Sequence, residues 1–164
     1  MAKKVITITV IMSEVLYDIQ NKTYLTGRSR KNGQNHEEVA NMQANEDDEN
    51  LNQVIRSVSN AYSSLMAKLS EYMTSSVTES DNELIDGETD LTITLQMPSN
   101  FNEAATDAIS KNIHQYIVNS SIADWFIITN KPDAAEYVSM ATANITDIIE
   151  AINRRVRPER KPVP

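Results

Sequence analysis

The chain has 164 residues, 40% of them hydrophobic and 23% charged, a balance that suits one soluble domain with a modest core. It has no cysteine, two histidines and three glycines, which excludes a disulfide scaffold, a thiol nucleophile, a cysteine-based zinc site and a glycine-rich nucleotide loop. The formal charge of −8 opposes bulk non-specific binding to nucleic acid.

Residues 4–10 are β-branched at nearly every position and predict a strand, with Ile6, Ile8 and Val10 on one face and Thr7 and Thr9 on the other. Two lysines before this apolar run resemble the start of a signal peptide. However, the threonines interrupt the run and no clean cleavage site follows, so a protein made and used in a cytoplasm is expected. No stretch approaches the length of a membrane span. Without a secretory route the sequons at Asn21, Asn119 and Asn144 carry no meaning.

A helix is predicted over 12–26, capped by Ser13, with Val15, Leu16 and Ile19 on one face and its end near Gly27. The polar, basic stretch 26–36 reads as a loop, followed by a short helix over 36–44. The strongest periodicity lies in 47–73. Asp47, Asp48 and Glu49 suit the positive end of a helix, and Leu51, Val54, Ile55, Val58, Tyr62, Leu65, Leu69 and Tyr72 form one apolar stripe.

Residues 74–90 are rich in Ser and Thr and acidic, with a turn signal at Asp86-Gly87. The alternation after it predicts a strand over 89–97, paired with one near 76–85 as a hairpin. Asn100 and Glu103 resemble a capping box that opens a helix over 101–129. Pro132 starts another helix, with Val138, Ala141, Ile145, Ile148, Ile149, Ile152 and Val156 as its buried face. The prolines of residues 157–164 leave the end extended. The expected fold is mainly α: an antiparallel helical bundle with a small β element (N-terminal strand plus hairpin) and an extended C-terminal tail. It reads as a single domain over 1–164, with residues 1–11 as an arm, 12–156 as the body and 157–164 as a basic tail.

Each motif that could carry chemistry lacks a required residue. His36-Glu37-Glu38 opens like a zinc-protease helix, but Ala40 stands where the second histidine must be. Asp81, Glu83 and Asp86-Gly87 resemble a calcium loop, but the glycine falls seventh rather than sixth and Thr92 occupies the twelfth place. The stretch Gly27–Gly33 lacks the Lys and Ser/Thr of a phosphate loop. His114 sits on a helix beside Ile113 and Ile117 and reads as structural. No Gly-x-Ser-x-Gly turn marks a nucleophile. The expectation is no enzyme, no metal and no cofactor.

Two features remain. Trp125 and Phe126 are the one concentrated aromatic pair, read as core packing or as an anchor at a subunit contact. The last eleven residues carry Arg154, Arg155, Arg157, Arg160 and Lys161 against Glu159, a net of +4 that leaves −12 on the rest. An acidic body with a basic tail is a layout for gripping an acidic neighbour. Arg28, Arg30 and Lys31 form a second basic group. A lone N-terminal strand must pair within the chain or with a neighbour.

Four segments together carry a resemblance: Tyr17 to Arg30, Asn52 to Tyr62, Ile122 to Lys131, and the ending Arg154 to Pro162. They are similar to small structural proteins of tailed bacteriophages that infect gut Bacteroidales, the crAss-like group. The resemblance implies a virion protein of the head–tail connector or neck, assembled in the bacterial cytoplasm as a portal-proximal ring of twelve or six copies. Its partners would be itself and neighbouring portal or tail components. DNA would pass through the ring without sequence-specific binding, which an acidic body suits by like-charge repulsion. On this reading Arg28, Arg30, Lys31, Trp125, Phe126, Arg154, Arg155, Arg157, Arg160 and Lys161 are the candidate interface. The alternative is a small helical regulatory module that binds nucleic acid or a protein through its Arg-rich tail. An enzyme built on carboxylates ranks last.

Overall fold

A computed structural model describes residues 2–74 and 78–162. The order is strand β1 (Lys4–Val10), helix α1 (Met12–Ser29), helix α2 (His36–Met42), helix α3 (Asp48–Lys68), strand β2 (Leu91–Met97), helix α4 (Thr106–Thr129) and helix α5 (Lys131–Ile152). Short 3-10 turns follow α3 at Ser70–Tyr72 and precede α4 at Glu103–Ala105. The protein is mainly helical with one small antiparallel sheet. No helix among the described residues is long and apolar enough to cross a membrane.

α4 is the central helix. Its buried residues, among them Ile109, Ile113, Ile117, Val118, Ile122 and Phe126, point to several sides rather than one stripe, as expected for a helix wrapped by others. Asn130 alone joins α4 to α5, which forces an antiparallel hairpin. Phe126 meets Tyr137 edge-on at 5.3 Å, and Asn119 Nδ2 donates to Asn144 Oδ1 at 2.9 Å further along. α3 also runs against α4, with Tyr116 donating to Ser64 near one end and Asp124 bonding Ser57 near the other. α1 instead runs in the same sense as α4: Asp18 meets His114 and Lys22 meets Gln115.

The sheet differs from the sequence expectation. β2 pairs with β1, in a continuous register from Lys4↔Met97 to Val10↔Leu91. Residues 78–85 form no strand, and residues 76–77 of the expected hairpin lie outside the described residues. The reason is burial. Ile6, Ile8 and Val10 face the core beside Ile93, Leu95 and Met97, and this match of two apolar faces fixes the register. β1 is therefore part of the core, not an arm. The acidic segment 78–90 lies over α1 and α3 instead: Arg56 donates to the Asn82 carbonyl at 2.7 Å, and Gly87 sits so close to Ile55 Cδ1 that a Cβ there would come within 2.8 Å.

Several helix ends move as well. α1 continues past Gly27, because that glycine serves close packing rather than termination. A Cβ there would come within 3.0 Å of the Val39 carbonyl oxygen and 3.3 Å of Met42 Cβ. Ser13 makes no cap. The first N–H of α1, at Met12, donates to Asp90 Oδ1 at 2.9 Å, so the cap comes from just before β2. Asn100 does not cap α4. Asn102 accepts from the Ala104 N–H at 3.1 Å and starts the 3-10 turn ahead of it. On α5, Ala134, Ala141, Ile148, Ala151 and Ile152 are buried, whereas Val138 and Ile149 are exposed and Val156 lies beyond the helix, also exposed. α5 is a flanking helix, so only a narrow stripe of it is covered.

Candidate functional site

The ten candidate interface residues do not form one surface. Trp125 and Phe126 belong to the core, which overturns their reading as a contact anchor. Phe126 has no exposed surface, and the Trp125 indole Nε1 donates to the Met42 carbonyl at 2.8 Å in a buried bond. That bond fastens the end of α2 to α4. An indole placed at a helix end has one polar atom to satisfy, and here a backbone carbonyl supplies the acceptor.

The first basic group divides. Arg28 and Lys31 are exposed at the end of α1. Arg30 is committed within the chain: its guanidinium binds Asp133 with both Nε, at 3.0 Å, and a terminal nitrogen. Asp133 is 4% exposed and also accepts from Asn130 Nδ2 at 2.6 Å, in the first turn of α5. The Arg30 fork holds the Asp133 carboxyl below the usual carboxylate range, against the opposing effect of burial. The same pairing raises Arg30 above the ordinary guanidinium value. This bidentate contact pins the C-terminus of α1 to the N-terminus of α5.

The second basic group begins inside the body and ends outside it. Arg154 reaches Glu150 Oε1 at 2.5 Å, one helical turn back. Arg155 donates to the Ile152 carbonyl at 2.9 Å, and its backbone forms a bridge with Phe101. The Asn102 N–H donates to the Arg154 carbonyl and the Val156 N–H donates to the Asn100 carbonyl, at 3.1 and 2.9 Å. Beyond Val156 the chain leaves the body. Arg157, Arg160 and Lys161 are exposed, and among the described residues none of them enters an ion pair.

Two polar clusters between helices escape sequence reading. His114 Nε2 lies 2.6 Å from Asp18 Oδ2, and Lys22 Nζ donates to Gln115 Oε1 at 2.8 Å. Burial pushes the Lys22 ammonium below its ordinary value, with Asp18 opposing the shift. Ser110 shares a groove with His114, but no hydrogen bond among the described residues joins the two, so no nucleophile-to-base relay is formed. The second cluster is an asparagine ladder in which Asn144 links Asn119 to Asn112. Among the described residues Asn119 Oδ1 is buried without a partner. The only sequence signal for either cluster is polar residues at positions whose helical neighbours are apolar.

Among the described residues no group of three or more His, Cys, Asp or Glu side chains converges as a metal site. A groove of about 320 Å3 lies between α3 and α5 over α4, lined by Ser64, Tyr116, Ala123, Asp124, Val138 and Ile145. Desolvation raises the Asp124 carboxyl, partly offset by its bond to Ser57. No family model matches the chain, no curated protein matches it, and no solved structure matches its fold.

Proposed function

We propose that this chain is a non-enzymatic structural subunit of a tailed-phage virion, a head–tail connector or neck ring component that acts through contacts with its own copies and with neighbouring particle proteins. The observation that carries this reading is the separation of charge at Val156, where the chain leaves the body. A body of net charge −10 over residues 1–156 releases an exposed tail that bears Arg157, Arg160 and Lys161. Such a tail loses entropy only when it is held, so it contributes where a partner holds it. Exposed apolar side chains on the helical surface, Tyr17 and Tyr24 on α1 and Val138 and Ile149 on α5, add area that an assembly would cover. The resemblance of the four segments supplies the virion setting.

Size-exclusion chromatography with light scattering, electron microscopy of the purified protein and mass spectrometry of purified virions test the proposal together. A closed oligomer and a virion-associated protein are expected. A strict monomer that is absent from particles overturns it. The rival reading, a module that grips nucleic acid with the tail, predicts tail-dependent DNA binding that falls steeply with salt.

A further inference from the structure

β1 is an edge strand. One side pairs with β2, whose far side carries a bridge to Met73. In an antiparallel pair alternate residues turn their N–H and C=O groups to the partner, and the others turn them outward. Among the described residues, no hydrogen bond outside the β1–β2 ladder reaches the backbone of residues 5–9. Val5, Thr7 and Thr9 are exposed, the register is unbroken, and the strand has neither proline nor bulge. A regular β-branched edge of this kind is a template for another strand. An open groove runs beside it. One stretch, of about 510 Å3, is lined by Thr7, Thr9, Glu103, Thr106 and Asp107. The next, of about 590 Å3, is lined by Thr9, Ile11, Glu14, Ser110, Lys111 and His114.

The chain also contains a segment whose pattern fits such an edge. Pro158, Pro162 and Pro164 all occupy even positions. An extended strand presents alternate N–H groups to opposite sides. Prolines of one parity therefore blunt one side and leave the other side, with Arg157, Glu159 and Lys161, its donors. The body already uses the even side, since the Arg154 carbonyl and the Val156 N–H face Asn102 and Asn100. The next donor on that side would be residue 158, a proline, so pairing stops there and residues 157–162 emerge exposed.

We propose that residues 157–162 of one copy add as a third strand to the free edge of β1 in a second copy, beside the N-terminal half of α4. Six residues at about 3.3 Å each span about 20 Å, most of the length of β1. Glu14, Glu103 and Asp107 line the groove, opposite in charge to the added strand, whose Arg157 and Lys161 share one face. Glu103 and Asp107 already meet Lys4 and Lys111, but these ion pairs are solvent-exposed on at least one side and rearrange at little cost. Donor tail and acceptor edge are different parts of the same chain, so the contact closes as a dimer when two copies exchange tails and otherwise propagates head to tail into a ring or a filament. The inference rests on the assembly reading above and specifies its contact.

The absence of native cysteine permits a clean test. Full-length protein carrying Thr7→Cys or Thr9→Cys is mixed with full-length protein carrying Glu159→Cys or Lys161→Cys under mild oxidation. A disulfide-linked heterodimer is expected for at least one pairing, with loss of that product when exposed Ser139→Cys replaces the tail cysteine. Truncation after Val156 should dissolve the oligomer and leave the far-ultraviolet circular dichroism per residue of the body unchanged. Cross-linking only within single chains of a doubly substituted protein overturns the inference, because the tail then returns to its own edge. An oligomer that survives truncation, or one in which none of the four pairings cross-links, also overturns it while leaving the assembly reading intact. A strict monomer absent from virions removes both.

Discussion

Replacing Trp125 with phenylalanine isolates one buried hydrogen bond. The indole is 6% exposed, and its Nε1 donates to the Met42 carbonyl at 2.8 Å. Phenylalanine keeps an aromatic ring but orphans that carbonyl, which costs about 1–3 kcal/mol when the group stays dry. The lost ring atoms add about 1 kcal/mol. Together these lower the melting temperature by roughly 4–16 °C for a chain of this size. The loss should be local as well as global. α2 depends on this bond, on the close approach at Gly27, and on the Ala44 N–H donating to Thr23 Oγ1 at 3.0 Å. Circular dichroism melts report the first effect, and hydrogen exchange over residues 36–44 reports the second. If Trp125→Phe melts within a degree of the parent and protection over α2 is unchanged, the indole does not hold α2 and the argument fails. An unchanged melt combined with loss of oligomer would restore the residue to a subunit surface.

Asp90→Ala removes the acceptor from the first N–H of α1 and should cost about 1 kcal/mol, read as a shift of the urea midpoint with an unchanged slope. Gly27→Val drives side-chain atoms into the Val39 carbonyl and Met42, which should cost about 1–3 kcal/mol and open α2 to limited proteolysis. Asp133 has a folded pKa below its unfolded value of about 3.9, so its ionised form is favoured by folding. The stability it contributes is full above about pH 5 and is lost as pH falls through the folded pKa. Denaturation curves between pH 7 and pH 2 should therefore show a shallower acid decline for Asp133→Asn, with lower stability at neutral pH. An acid limb identical to the parent's would remove Arg30 as the cause.

The sequence by itself determined the helices, because helical periodicity is local. The stripe from Leu51 to Tyr72 predicts one helix over 47–73, of which α3 takes Asp48–Lys68 and a 3-10 turn takes Ser70–Tyr72, and Pro132 marks the start of α5. It also predicted the strand over 4–10 and one over 89–97, of which Leu91–Met97 forms β2, since β-branched alternation needs no partner to be recognised. What tertiary structure decided are the contacts between residues far apart in the chain. β1 chose β2 over the acidic segment because two apolar faces had to be buried together, a choice that no local turn signal encodes. Asp90 caps α1 from 78 residues away, and Arg30 grips Asp133 from 103 residues away. The basic residues looked equivalent in the sequence, yet Arg30 is paired within the chain to Asp133, whereas Arg157 enters no ion pair among the described residues. Charge alone does not show whether a cation has a buried carboxylate waiting for it. Burial also decided the aromatic pair, since Trp and Phe suit a core and an interface for the same reason, the removal of apolar surface from water. Only the packing of α4 among its neighbours placed Trp125 and Phe126 inside.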